Sequence, residues 1–272
     1  MRGRVFLVGA GPGDPELLTV KAARILREAD VVLHDDLVSS AVLGNIPQTA
    51  VVRNVGKRCG HKQIRQEEIQ FLMIGFASQG LRVVRLKSGD PMIFGRAGEE
   101  IEALRKAGVE CEIVPGVTAA LAAAASAQIP LTHRRLASSV VFLTGSHAEG
   151  SPKPDLRAIA SSGATLVFYM PGHDYREISR MLTSAGWGGD TPCALVSRAS
   201  QREQRVVVSS VDQLPAVQRV AAPAVVVVGP VIQLGDPRFL QQEVMEIAVA
   251  VGRDAGLGPN ERVPISWGGA AR

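Results

Sequence analysis

Strand-like apolar runs alternate with helix-like stretches along this chain, and that rhythm limits the fold more than any other feature. Residues 5–8, 31–33, 50–55, 82–86 and 112–114 read as strands. Residues 16–29, 67–78 and 99–107 place apolar residues near helical spacing, and 118–127 is a small alanine-rich helix. Such alternation predicts a mostly parallel sheet covered on both faces.

A break falls at "IPLTHRRLASS", residues 129–139, and a second set follows. Strands are expected at 140–144, 165–170, 194–197, 204–209 and 224–228, with a helix at 175–185 and a short one near Gln213. The run at 204–209 directly follows a polar turn, which suggests an antiparallel element. The expected fold is therefore two α/β domains, a mostly parallel N-terminal sheet and a mixed C-terminal sheet, with a ligand cleft between them. The expected division is 1–133, 137–236 and 237–272, the last holding a helix at 238–251 and a frayed Gly/Pro tail.

Composition excludes several classes. The chain has 272 residues, 46% hydrophobic and 21% charged, enough for one large or two modest domains. Aromatics make up only 4%, which disfavours stacking platforms for nucleic acid. The net charge of +4 suits an acidic partner, a polyanionic small molecule among them. Cys59, Cys111 and Cys193 are far apart with no CxxC, so a reduced compartment and no zinc site are expected. The five histidines show no close pairing, and no metal is expected. The apolar core of "MRGRVFLVGAG" is too short for a signal peptide, and no run of about 18 apolar residues could span a membrane. The cytoplasm is the expected location.

The string "VGAGPGDPELLT" places three glycines, Gly9, Gly11 and Gly13, after the first strand. A dinucleotide fingerprint has a different spacing, and no lysine follows as in a P-loop. Asp14 then Pro15 start the next helix, an acidic N-cap where a phosphate would otherwise sit. A phosphate is disfavoured, while the tight backbone still suits close approach of some ligand. "RLKSGDPMIFGR" repeats the pattern after another strand. Each Asp-Pro alone reads as a helix cap; two at the C-terminal ends of parallel strands point to the crevice where open α/β sheets bind ligands.

These strings, with "ADVVLHDDLVS", "VGKRCGH" and "QEEI" after it, "VPGVTAALAAAA" and "IPLTHR", resemble the tetrapyrrole methylase family over roughly residues 4–235. The resemblance implies S-adenosyl-L-methionine as methyl donor, leaving S-adenosyl-L-homocysteine, and a homodimer. Within the family, "GKR", "FGR" with "GEE", and "IPLTHR" favour members that methylate uroporphyrinogen III at C2 and C7 to precorrin-2, toward sirohaem or cobalamin. A cationic sulfonium without phosphates agrees with the acidic loops.

The resemblance places the donor against Pro12, Ser88, Gly89, Asp90, Ile93, Thr118, Ala119, Met170 and Ala199. Read as residues alone, Ile93 and Met170 are better explained by a core, Thr118 by a helix cap, and Asp90 either by capping or by binding ribose hydroxyls. The resemblance also makes Asp35 a proton acceptor and Lys57 a proton donor; on sequence alone, "HDDL" reads better as an Asx turn capping the helix after it, with Asp36 as the cap. A separate charge argument concerns the substrate. From Leu37 to Gln66 there is no Asp or Glu, yet Arg53, Lys57, Arg58, Lys62 and Arg65 occur. A solvated basic face explains such a run, and so does a cleft for the carboxylates of uroporphyrinogen, with Arg96 and Arg134 as contributors.

The chain departs from the family pattern at Ser88 and Gln128, where glycine is usual, at His34 and Ser126, where tyrosine is usual, and at Ala199, where glycine is common. Alternatives kept open are a sibling methylase of a later precorrin, a non-catalytic donor- or tetrapyrrole-binding protein, and an RNA methylase, the last supported only by basicity.

Overall fold

The computed structural model describes residues 3–56, 64–145, 150 and 154–240. The first half runs β1 (Arg4–Gly9), α1 (Val20–Arg27), β2 (Val31–His34), α2 (Ser40–Leu43), β3 (Val51–Asn54), α3 (Gln66–Ser78), β4 (Arg82–Lys87), α4 (Ala97–Lys106) and β5 (Glu110–Val114). Its five strands form one sheet in the order β3-β2-β4-β1-β5, and every pairing is parallel.

β1 shows why both faces are covered. Val5 and Leu7 pack with Ile69 and Met73 of α3 and Leu104 of α4. Phe6 and Val8 pack with Ala22, Ile25 and Leu26 of α1 and Val42 of α2. Successive strand side chains face opposite ways, so an unbroken apolar run fits only a strand with helices above and below.

The stretch expected as one helix at 16–29 is divided. Asp14 accepts from the Glu16 N–H at 2.9 Å and caps a single 3-10 turn, Pro15–Leu17. Thr19 then caps α1, its Oγ1 accepting from Ala22 N–H at 3.1 Å. A threonine with extended backbone is a better cap than an interior helical residue, so it starts a new helix. α2 is the helix expected after "HDDL", but its cap is Ser39, through the Val42 N–H at 3.2 Å.

The second half comprises α5 (Ala119–Ser126), β6 (Val140–Thr144), α6 (Leu156–Ser161), β7 (Thr165–Tyr169), α7 (Arg176–Ser184), β8 (Pro192–Ser197), β9 (Arg205–Ser210), β10 (Ala224–Val228) and α8 (Pro237–Leu240). The strand order is β6-β7-β10-β8-β9. β6 and β7 are parallel; β7–β10, β10–β8 and β8–β9 are antiparallel, the mixed sheet expected. One face of this sheet, with Leu166, Phe168, Leu195 and Val226, packs on Ile178 and Leu182 of α7. The other face, with Val167, Tyr169, Val196 and Val225, packs on Ala120 and Ala123 of α5. The alanine-rich helix thus precedes the sequence break yet packs against the second sheet, joining the two halves. Beyond α8, the expected helix at 238–251 and the tail lie outside the described residues.

Candidate active site

The two Gly-Asp-Pro bends touch. Gly11 N–H donates to Gly89 O at 3.2 Å and Gly89 N–H donates to Gly11 O at 2.8 Å, an isolated antiparallel bridge between the ends of β1 and β4. Both glycines have left-handed backbone, φ +69° and +67°, where a side chain would be strained. Gly9 and Gly116 complete the junction: a Cβ on Gly9 would meet Gly116 N at 2.5 Å and Gly89 O at 2.7 Å. Three strand ends therefore pack backbone to backbone.

Asp90 ties the junction together. Its Oδ1 accepts from Met92 N–H at 2.8 Å and its Oδ2 from Gly116 N–H at 3.0 Å. No helix begins there; α4 starts at Ala97. The helix-cap reading of the second Asp-Pro is therefore incorrect, because one carboxylate oxygen bridges to the loop after β5.

Thr118 is the N-cap residue of α5 but makes no capping bond with its side chain. Its Oγ1 lies 2.7 Å from the Tyr169 hydroxyl, which also accepts from Ala120 N–H at 3.1 Å. Burial pushes the Tyr169 phenol up, against the opposing pull of those two bonds. The Tyr169 ring lies 5.1 Å from that of Phe94, beside Ile93, and 5.7 Å from that of Phe142. Met170, next in the chain, is 49% exposed with φ +48°, so it is no core residue. Ile93 and Ala119 pack against the cluster that contains Ala199. Two residues beyond Ala199, Gln201 Nε2 donates to Pro12 O at 2.9 Å, while Ser39 Oγ donates to Gly13 O at 2.5 Å from the other side.

Pro12, Gly89, Asp90, Ile93, Thr118, Ala119 and Ala199 thus gather around one junction, with half-buried Ser88 preceding Gly89. The two bends carry Asp14 and Asp90 and no lysine or arginine. Crowded backbone and acidic side chains fit a ligand that is cationic or neutral and lacks phosphates. Among the described residues, no group of His, Cys, Asp and Glu could hold a metal ion.

Asp35 stands at the end of β2, its N–H bonded to Leu86 O at 3.0 Å. Asp36 does not cap the next helix; Ser39 does, and Asp36 Oδ1 accepts from Asn54 Nδ2 at 3.0 Å. Asp35 Oδ1 forms an ion pair with Arg85 Nη2. Arg85 is buried, and its Nε donates to Glu100 Oε1 at 3.0 Å. Glu100 is fully buried and also receives Lys87 Nζ at 3.1 and 3.0 Å and Gln66 Nε2 at 3.0 Å. Burial opposes the Arg85 charge, but Asp35 and Glu100 more than offset it and its pKa is raised. Burial and the Arg85 charge together pull Lys87 down.

Lys57, Arg58 and Lys62 lie outside the described residues. Arg96 pairs with its neighbour Glu99 through two bonds, 2.8 and 2.7 Å, and Glu99 holds its pKa up. Arg134 is exposed in the turn near His133. Among the described residues, no hydrogen bond or ion pair joins either arginine to the bends or to Asp35.

Sequence reasoning did not single out Arg85, Lys87, Glu100, Tyr169 or Gln201. Arg85 and Lys87 offered a signal: two cations at alternate positions share one face of a strand whose other residues read as fully buried.

Two helix-covered sheets, with glycine bends bridged at the C-terminal ends of parallel strands, define an α/β protein. The chain belongs to the tetrapyrrole (corrin/porphyrin) methylases, whose profile matches residues 4–215. It is 47% identical over 234 residues to "Siroheme synthase 1" of Cronobacter sakazakii, covering 86% of this chain and 50% of that protein. The chain thus spans about half the length of the sirohaem synthases it matches. It is 44% identical over 252 residues to the uroporphyrinogen-III C-methyltransferase of Synechocystis, covering 91% of this chain and 95% of that one. The crystal structure of uroporphyrin-III C-methyl transferase from Thermus thermophilus complexed with S-adenyl homocysteine superposes with a TM-score of 0.75 at 43% identity, covering 85% of this chain and 100% of that one.

Proposed function

We propose that this chain is an S-adenosyl-L-methionine-dependent methyltransferase that methylates uroporphyrinogen III at C2 and C7, giving precorrin-2 and S-adenosyl-L-homocysteine. The observation that carries the reading is the Gly11–Gly89 junction, whose two bends carry Asp14 and Asp90 and no lysine or arginine. Similarity along nearly the whole Synechocystis methyltransferase favours this substrate over a later precorrin.

In this reading Pro12, Ser88, Gly89, Asp90, Ile93, Thr118, Ala119, Met170 and Ala199 hold the donor, mostly through backbone and apolar contact. The donor supplies a methyl group made electrophilic by its sulfonium. The protein's task is alignment, since direct displacement needs no covalent nucleophile. As the C–C bond forms from a ring carbon, positive charge is left on the tetrapyrrole, and loss of a ring proton discharges it. Asp35 accepts that proton and Lys57 serves as proton donor. Arg96 and Arg134 attract the substrate carboxylates, and Arg96 exchanges Glu99 for one of them. The enzyme works as a cytoplasmic homodimer with no nucleic acid or membrane partner.

Incubation with uroporphyrinogen III and donor, followed by mass analysis, tests the reading: two added methyl groups are expected. Donor binding without any methylated product would overturn it.

A further inference from the structure

Glu100 is the most deeply buried charge among the described residues, and its surroundings are unusual for a helix-start glutamate. It points away from solvent and collects Arg85, Lys87 and Gln66 on one carboxylate. Arg85 is held on every side. Its Nε donates to Glu100, its Nη1 to Leu33 O at 3.2 Å and Leu86 O at 3.3 Å, and its Nη2 to Asp35. A guanidinium is a rigid planar fork, so fixing the Nε edge and Nη1 fixes where Nη2 points. Arg85 thus has a set direction toward Asp35 and little freedom to serve as a mobile substrate ligand.

The charges balance. Arg85 and Lys87 contribute two positive groups, Asp35 and Glu100 two negative ones. Asp35 is the one member substantially open to solvent, its side chain 30% exposed against 3%, 3% and 0% for the others. Among the described residues no hydrogen bond reaches Asp35 Oδ2. The buried members grip one carboxylate oxygen of Asp35 and leave the other available. Lys87 sits immediately before the Ser88–Asp90 bend, so the same cluster underlies the donor crevice.

We infer that Glu100 is a positioning residue for methyl transfer: through Arg85 it sets the orientation of the Asp35 carboxylate. Its pairing with Lys87 neutralises the second buried cation, which would otherwise compete with Arg85 for Asp35. The inference rests on the role given to Asp35 under the proposed function.

The test is a double-mutant cycle on methylation of uroporphyrinogen III, with S-adenosyl-L-homocysteine titrated calorimetrically into each variant. Glu100→Gln lowers kcat roughly 10- to 100-fold through misalignment, while inhibitor affinity stays within about two-fold. In the Asp35→Asn background the same change has almost no further effect, because residues acting as one unit are non-additive. Should Glu100→Gln alone fail to fold with Lys87 left unpaired, Glu100→Gln with Lys87→Met restores neutrality and is used in the same cycle. Full additivity with Asp35→Asn, wild-type kcat, or equal losses in kcat and inhibitor affinity would each overturn the inference. A wild-type protein that produces no methylated tetrapyrrole would instead remove the underlying functional reading.

Discussion

The two sheets bury different chemistry. Arg85, Lys87 and Glu100 are the buried charged residues among those described, and all three belong to the first, parallel half. The second sheet buries Thr165 and Ser197 but no charge, within a core of Leu166, Phe168, Leu195 and Val226. A parallel sheet sends every strand's C-terminal end to one edge, where loops such as the Gly11 and Gly89 bends can meet. A mixed sheet cannot gather its loops that way, and here it supplies apolar packing against α5 and a turn that reaches Pro12 through Gln201. The first half buries a charge-balanced cluster, and the second buries apolar surface.

The largest effect should separate the halves by function. Asp35→Asn, on the first sheet, lowers methyl transfer by about 10²–10⁴-fold, the usual span for a lost general base, with donor affinity nearly unchanged in a calorimetric titration. Next comes stability. Glu100→Leu strands Arg85 and Lys87 and costs about 3–5 kcal/mol in a urea titration. Adding Lys87→Met recovers part of that loss. Leu195→Ala in the second sheet costs about 2–5 kcal/mol by leaving a cavity, and no charge-removing companion recovers it.

Alkaline pH offers a third contrast. Burial pushes the Cys193 thiol from 9.0 up to about 12. The folded protein keeps that proton while the unfolded chain loses it, so the Cys193 contribution is full below pH 9 and fades as pH rises toward 12. Lys87, shifted down, acts oppositely: stability rises with pH in the window just below 10.5. Cys193→Val therefore flattens the alkaline decline in urea midpoints, and Lys87→Met steepens it. The smallest effect concerns α5. Gln128 has φ +54°, and Ile129 N–H reaches back to Ala124 O at 2.9 Å, a helix end that favours glycine. Gln128→Gly should raise stability by about 1 kcal/mol, seen as a higher melting temperature.

That last residue shows what was legible in the sequence and what was not. Gln128 stood out as a departure from a glycine, and its left-handed backbone explains why glycine suits the site. Runs such as 5–8 and 224–228 were readable because strands buried on both faces must be apolar throughout. The bends were readable because left-handed and crowded backbone demands glycine. The cap of α2 was misplaced at Asp36 because Ser39 is an equally good cap three residues on, and α6 escaped notice because it follows a polar stretch, although Asp155 caps it through Arg157 and Ala158. The buried cluster was hidden for a different reason. Arg85 and Lys87 on one face of a buried strand hint at buried charge, but Glu100 in the first turn of a helix is an ordinary surface pattern, so their partner could not be read. Only the fold brings residues fifteen and thirteen apart in sequence onto one carboxylate.

A crystal structure with S-adenosyl-L-homocysteine bound tests the central claim most directly. The account predicts the ligand seated against the Gly11–Gly89 junction, with Pro12, Asp90 and Ala119 in contact. Ligand bound away from both bends would contradict it.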